Sequence, residues 1–296
     1  MRFLHRPSDG ESGIVLIAAL WLLILLSITA AGMIELVRSE RRIARHIVNQ
    51  AEAEALADGG IAHGVAALLE RGRRGPWPLD GRARVVDYQG RSIRVSVYDE
   101  LGKIDLNTAT DELLRGLFRS AGLSAAEAEL LVDRIADWRD PDDLRRLGGA
   151  ERPDYEAKQL IYGPRNGAFE SVDELGQVLG MPASLLDRVR PALTVFSRRS
   201  GVETATAPRE ALAALPGMDE VQIRQLMAER GLGDGWRTGD SRASTAGTTA
   251  SLPDLTGRAF TLTAHARGQN GQAVARTAIV RFTGNPDQPF WIHEWR

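Results

Sequence analysis

The run IVLIAALWLLILLSITAAGMI, Ile14 to Ile34, decides how the rest of the chain is read. It carries no charge, and only Ser27 and Thr29 interrupt it with polar groups. At about 1.5 Å of rise per residue, a helix of that length just covers a bilayer core of about 30 Å. The chain beyond Ile34 is therefore expected to be membrane-tethered or exported.

Three readings of the N-terminus compete. A secretory signal has an apolar stretch of about 7–15 residues followed by an A-x-A-like site; this run is longer, although Ala30, Ala31 and Gly32 offer a place to cut. An uncleaved anchor is the plain alternative. The third reading is a leader removed ahead of the run: Met1 to Ser12 is short and polar, with Arg2, His5 and Arg6, and the apolar residues begin directly after Gly13. Charge gives no clean orientation. Arg2 and Arg6 precede the run while Arg38, Arg41, Arg42 and Arg45 come after it, so the positive-inside rule alone places the C-terminal side in the cytoplasm.

From Glu35 to about Glu70 there is no proline, and Leu36, Ile43, Ile47, Ala51, Ala55, Ala62, Ala66 and Leu69 recur at helical steps. One helix of fifty-odd residues is expected, apolar in its first half and amphipathic in its second. Gly59, Gly60 and Gly64 weaken it by about 1 kcal/mol each and predict a bend. Gly72, Gly75, Pro76 and Pro78 stop it.

Beyond the stop, Arg84–Tyr88 and Arg91–Tyr98 alternate as strands joined at Gln89-Gly90. A second hairpin runs through Phe260, Leu262, Ala264 and Ala266, turns at Asn270-Gly271 and returns from Val274 to Phe282. Two hairpins so far apart in sequence predict one small antiparallel sheet with a large insertion. The insertion repeats a helical pattern. Leu113, Leu114 and Leu117 lead to a turn at Ala121-Gly122-Leu123 and resume at Leu130, Leu131 and Ile135. A second copy begins with an expected capping box at Ser171-Val172-Asp173-Glu174, turns at Gly180-Met181-Pro182 and continues through Leu185, Leu186 and Val189. A third begins near Val202 and turns at Pro216-Gly217-Met218. The fold class is α+β: a long N-terminal helix, a small sheet, and an inserted α-helical domain of helix-hairpin-helix-like units. Its parts are 14–75 (span and stem), 76–104 (first part of the sheet), 105–200 (insertion), 201–231 (third unit), 232–257 (flexible loop, rich in Gly, Ser and Thr) and 258–296 (closing hairpin).

Composition removes several functions. With no cysteine among 296 residues there is no disulfide framework, thiolate metal site or Cys nucleophile. The histidines at 5, 46, 63, 265 and 293 have no metal spacing, and no nucleophile-elbow or Walker sequence occurs. Helix-hairpin-helix units often hold DNA phosphates, which makes a membrane-anchored DNA receptor the rival reading. Yet the third turn carries Asp219 and Glu220, and residues 105–200 hold 13 Lys plus Arg against 17 Asp plus Glu. Phosphate binding needs the opposite balance. One loop is chemically distinct: Asp137, Asp140, Asp142, Asp143, Glu151 and Asp154 gather within about 18 residues rich in Pro and Gly, enough oxygen donors for a calcium ion. The spacing is not that of an EF-hand, and Arg139, Arg145, Arg146 and Arg152 offer plain surface ion pairing instead.

The leader ending at Gly13 resembles the class III leader of type IV pilins and pseudopilins. Leu106-Asn107-Thr108-Ala109, Asp137-Trp138-x-Asp140-x-Asp142 with Gly149-Ala150-Glu151 and Tyr155, the Asn166–Leu175 segment, Thr204-Ala205-Thr206-Ala207-Pro208 and the closing hairpin, in that order, resemble the K-type minor pseudopilins of type II secretion systems. The resemblance implies cleavage by a prepilin peptidase between Gly13 and Ile14, N-methylation of Ile14, and a single-pass inner-membrane protein with its globular part in the periplasm. It implies calcium held by Asp140, Asp142, Asp143, Glu151 and Asp154. It implies stem packing through Ala18, Leu36, Ile43 and Ile47 against I-type and J-type minor pseudopilins and the major pseudopilin, no nucleic acid, no enzymatic activity, and a place at the pseudopilus tip. Ordinary pilins carry Glu at the fifth mature position, where this chain has Ala18; a subunit with none above it gains nothing from a carboxylate in lipid.

Overall fold

The computed structural model describes residues 11–70, 77–88, 90–232, 255–268 and 271–296. Residues 1–10, the expected helix stop at Gly72, Gly75 and Pro76, and most of the 232–257 loop lie outside them.

Helix α1 spans Glu11–Leu69 without a break. Within it Ile14–Met33 is exposed throughout and is long and apolar enough to cross a membrane. The last third packs on a sheet through Ala53, Ala57, Ile61, Val65 and Leu68, all buried. The stripe that meets the sheet is a different one from the stripe read in the sequence. Ala51, Ala55, Ala62, Ala66 and Leu69 are exposed on the other side. The glycines explain the choice of face. A Cβ on Gly60 would lie 2.7 Å from Ile93 Cγ2, and one on Gly64 would lie 2.7 Å from Leu262 Cδ2. The sheet takes the stripe that permits the closest approach, and the helix continues through Gly59, Gly60 and Gly64 where a bend was expected.

The sheet has five antiparallel strands in the order β1 (Arg84–Tyr88), β2 (Arg91–Asp99), β5 (Ala259–Arg267), β6 (Ala273–Asn285), β7 (Gln288–Trp295). Register pairs Val95 with Ala264 and Leu262 with Ala278, so Ile93, Val95, Val97, Leu262, Ala264 and Val280 line the face against α1. The closing hairpin is therefore a three-stranded meander. Strand β7 escaped the sequence reading because Pro289 interrupts it and both its faces stay largely exposed, as an edge strand tolerates.

Between β2 and β5 stands the insertion. Strand β3 (Ile104–Asp105) pairs in parallel with β4 (Leu193–Thr194) where the chain enters and leaves its first part. Helices α2 (Asp111–Ser120), α3 (Ala125–Arg139), α4 (Arg152–Ala157), α5 (Ala183–Val189), α6 (Arg209–Leu212) and α7 (Glu220–Leu232) surround one core running from Ile104 to Ile223. A reciprocal capping box starts α3: Glu127 N donates to Ser124 Oγ at 3.3 Å, and Ser124 N donates to Glu127 Oε2 at 2.9 Å. The box expected at Ser171 does not form. Residues 172–177 are a 3₁₀ turn with no side-chain cap from Ser171; Glu174 instead accepts from Glu170 N at 3.3 Å and from Arg165 Nη1 at 3.1 Å.

The insertion joins the sheet at its end remote from the apolar span. Along α1, Asn49 lies beside Gly268, Gly60 beside Ala264 and Gly64 beside Leu262, so β5 runs toward the span and begins, like the end of β2, at the far end. Buried charges fasten the junction. Asp99 pairs with Arg258, and Glu100 accepts from Lys103 Nζ at 2.7 Å and from Thr261 Oγ1 at 2.6 Å. Arg281 Nη2 donates to Phe196 O at 2.7 Å, tying β6 to the insertion.

Candidate functional site

The stem residues come first along the chain. Gly13 and Ile14 lie in the first turns of α1, and Ile14 is exposed. Ala18, Ile43 and Ile47 are exposed as well, the two isoleucines at 59% and 60%, so none of the described residues covers them. The side chain of Leu36 is outside the described residues.

The acidic loop is built between α3 and α4. Trp138, stacked on Phe169 at 5.9 Å and tilted on Tyr155 at 6.2 Å, forms its buried floor. Asn107 holds the Phe169 strap in place with two bonds: Asn107 Nδ2 donates to Phe169 O at 3.0 Å, and Phe169 N donates to Asn107 Oδ1 at 2.7 Å. Arg139 ties α3 to the opening segment by donating to Leu106 O at 2.6 Å. These bonds explain why separated pieces of the sequence motif belong together.

Above that floor the carboxylates differ. Glu151, at the N-cap of α4, is 4% exposed, and neither of its carboxylate oxygens has a hydrogen-bond partner. Burial, reinforced by Asp137, Asp140, Asp143 and Asp142, pushes its pKa up to about 7. Asp140, at the C-cap of α3, also has a buried oxygen without a partner, and burial with Asp142 and Asp137 raises its pKa. Asp142 accepts from Leu144 N at 2.9 Å, and Asp143 accepts from Asn166 Nδ2 at 2.8 Å. Asp154 is differently employed. Arg145 Nη1 reaches one of its oxygens at 2.9 Å and Glu151 N the other at 2.9 Å; the bond from Glu151 N first, and then Arg145, hold its carboxyl below the usual range.

Two members were missed as site residues. Asp137 is fully buried against Gly149, where a Cβ would sit 1.9 Å from Asp137 Oδ2, and burial raises its pKa. Asn166 turns through a positive φ of 51° and has a buried Oδ1 without a partner. Asp137 stood at the head of the acidic run, but nothing in spacing told its buried side chain from the loop's exposed ones. Among the described residues no group of three acidic or histidine side chains is already arranged to hold a metal ion. Three buried carboxylate oxygens of the loop are unpaired, and four neighbouring carboxylates raise the cost of ionising Glu151. At the third helical turn, Asp219 Oδ1 accepts from Gln222 N at 2.7 Å and Glu220 pairs with Arg209, so carboxylates occupy the place a DNA phosphate needs.

One apolar span among the described residues, long enough to cross a membrane and continuing into a stem helix, a sheet packed on that stem and a helical unit inserted into the sheet give the chain a pilin-like architecture. Residues 98–198 match the family model for type II secretion system protein K. The chain is 25% identical over 247 residues to type II secretion system protein K of Pseudomonas aeruginosa, covering 75% of this chain and 73% of that one. It is 28% identical over 256 residues to the Klebsiella pneumoniae protein of the same name, covering 76% and 77%. In fold it is similar to the crystal structure of the GspK-GspI-GspJ complex from enterotoxigenic Escherichia coli, with a TM-score of 0.54 at 17% identity, covering 88% of this chain and 98% of that one. Residues 98–198 thus carry a type II secretion system protein K domain, and over three quarters of its length the chain is similar to proteins of that name.

Proposed function

We propose that the chain is the tip subunit of the secretion pseudopilus, a structural component that helps to start its assembly, with the globular part in the periplasm. The observation that carries this reading is the position of the insertion. It leaves and re-enters the sheet at the membrane-distal end, where it obstructs stacking of a further subunit above. Below it, exposed Ile43 and Ile47 on the stem and Ala18 in the span offer an apolar side to neighbours. Association there is driven by packing within lipid and by the hydrophobic effect outside it. The neighbours we infer are I-type and J-type minor pseudopilins, after the complex seen in the structural relative, with the major pseudopilin below them. Release from a leader between Gly13 and Ile14 by a prepilin peptidase completes the reading.

The acidic loop is proposed to take calcium. Asp140 and Glu151 would bind it through their unpaired oxygens, with Asp142 and Asp143 from the loop tip and Asn166 through its free Oδ1. Such an ion would supply the positive charge that this cluster lacks and join the end of α3 to the start of α4. Asp154 belongs to the support of the site, because both its oxygens already hold protein donors.

Purification of the tagged full chain from cells co-expressing its I-type and J-type partners tests the assembly reading. The expected result is one complex containing all three, lost when Ile43 and Ile47 are both replaced by Asp. Recovery of the chain alone in both cases would contradict it.

A further inference from the structure

Just past the span α1 carries a basic collar that the assembly reading leaves without a use. Arg41, Arg42, Arg45 and His46 are all exposed, and Glu40 is the one acidic residue between Arg38 and Asn49. Arg41, Arg45 and His46 take part in no ion pair among the described residues, whereas Glu52 and Glu54, about two turns further on, are paired with Arg91 and Arg276. The collar lines a groove of about 670 Å³, bounded by Arg42, Arg45, His46 and Asn49 on one side and by Gly271 and Gln272 of the β5–β6 turn on the other. Gly268 brings that turn against the stem, since a Cβ there would lie 3.1 Å from Asn49 O, and exposed Arg267 adds a further charge at the same corner.

Height above the membrane identifies the partner. The span ends at Met33, so Arg41 and Arg45 stand about 12 Å and about 18 Å beyond the hydrocarbon along the helix axis. A polar headgroup layer about 5–8 Å thick fills the first part of that distance. The remainder is about one Debye length at physiological salt, closer still if the helix tilts by about 20°. We propose that Arg41, Arg42 and Arg45 bind the phosphate headgroups of anionic phospholipids in the leaflet where the span emerges, and so set the depth and tilt of the stem before it joins a filament. Four arginines on the C-terminal side of the span run against the positive-inside bias, and a lipid partner gives them a task on that side. This lipid contact requires α1 to be the membrane anchor and is independent of which subunits it meets.

The test uses the full chain reconstituted into phosphatidylcholine vesicles, with spin-labelled phosphatidylglycerol or spin-labelled phosphatidylcholine as the probe lipid. The expected result is a several-fold preference of the protein's boundary layer for phosphatidylglycerol, weakened at high salt and abolished in R41Q/R42Q/R45Q. A control variant, R119Q/R188Q, changes two exposed arginines of the insertion and is expected to keep the preference. Equal restriction of both lipids by the unaltered chain overturns the proposal, as does a preference that survives in R41Q/R42Q/R45Q. Loss of the preference on adding inorganic phosphate, but not chloride of equal ionic strength, makes the collar a free-phosphate site and overturns the lipid assignment. Complex formation with partner subunits is not read in this experiment, so its failure leaves the assembly reading to its own test.

Discussion

Folding places Glu151 where its carboxyl ionises only with difficulty. Its pKa of about 7 lies above the ordinary value of 4.5, so between these two values the native state binds more protons than the unfolded one. Stability therefore falls as pH rises from about 4.5 to about 7 and stays low above that range. The expected outcome for the ion-free protein is a lower melting temperature at pH 8 than at pH 5, by at most about 3 kcal/mol of stability. Calcium should raise the melting temperature at pH 8 and do little at pH 5, and Glu151→Gln should remove both dependences; thermal melts with and without chelator read all of these. Asn107 gives a second residue-scale prediction. Asn107→Ala leaves Phe169 N and O without their partners and is expected to cost about 1–3 kcal/mol in a urea titration. The acidic run was plain in the sequence because its residues fall within one short stretch. The division of labour within it was not, since pairing of Asp154 with Arg145 and burial of Asp137 under Gly149 depend on how α3 and α4 meet.

Glycine has opposite meanings along α1. At Gly60 and Gly64 a side chain would run into Ile93 and Leu262, whereas nothing lies within 4 Å of a Cβ on Gly59. Gly59→Ala should stabilise the protein by about 0.5–1 kcal/mol through helix propensity alone. Gly64→Val should lose about 1–3 kcal/mol by forcing the stem off the sheet. Chemical denaturation of the two variants side by side checks the pair; equal effects would contradict the close docking of helix and sheet. Helical periodicity predicted α1, α2 and α3 because each carries a long repeating pattern. It did not tell which of two small-residue stripes on α1 meets the sheet, because periodicity marks faces and not their partners. The capping box at Ser171 failed for a related reason. Glu174 is drawn to Arg165 and Glu170 N, partners supplied by a neighbouring segment and invisible to a four-residue motif.

At the scale of the whole molecule, the order of segments was legible: span, stem, first strands, helical insertion, last strands. Apolar length, proline-free periodicity and alternation each mark one segment. The extra edge strand was hidden, because β7 contributes little to the core and carries a proline. Legible too was the likeness to K-type pseudopilins, which lies in the order of motifs and not in any one of them. The insertion's place at the far end of the sheet required the register, and it is on this placement that the proposed tip role rests. That role presumes that the chain enters the membrane as a pilin does, by way of a leader cleaved ahead of the span. Mass analysis of the N-terminus of the protein purified from cells with and without the prepilin peptidase tests this most directly. The predicted result is a chain that begins at N-methylated Ile14 only when the peptidase is present; Met1 retained in both strains would contradict it.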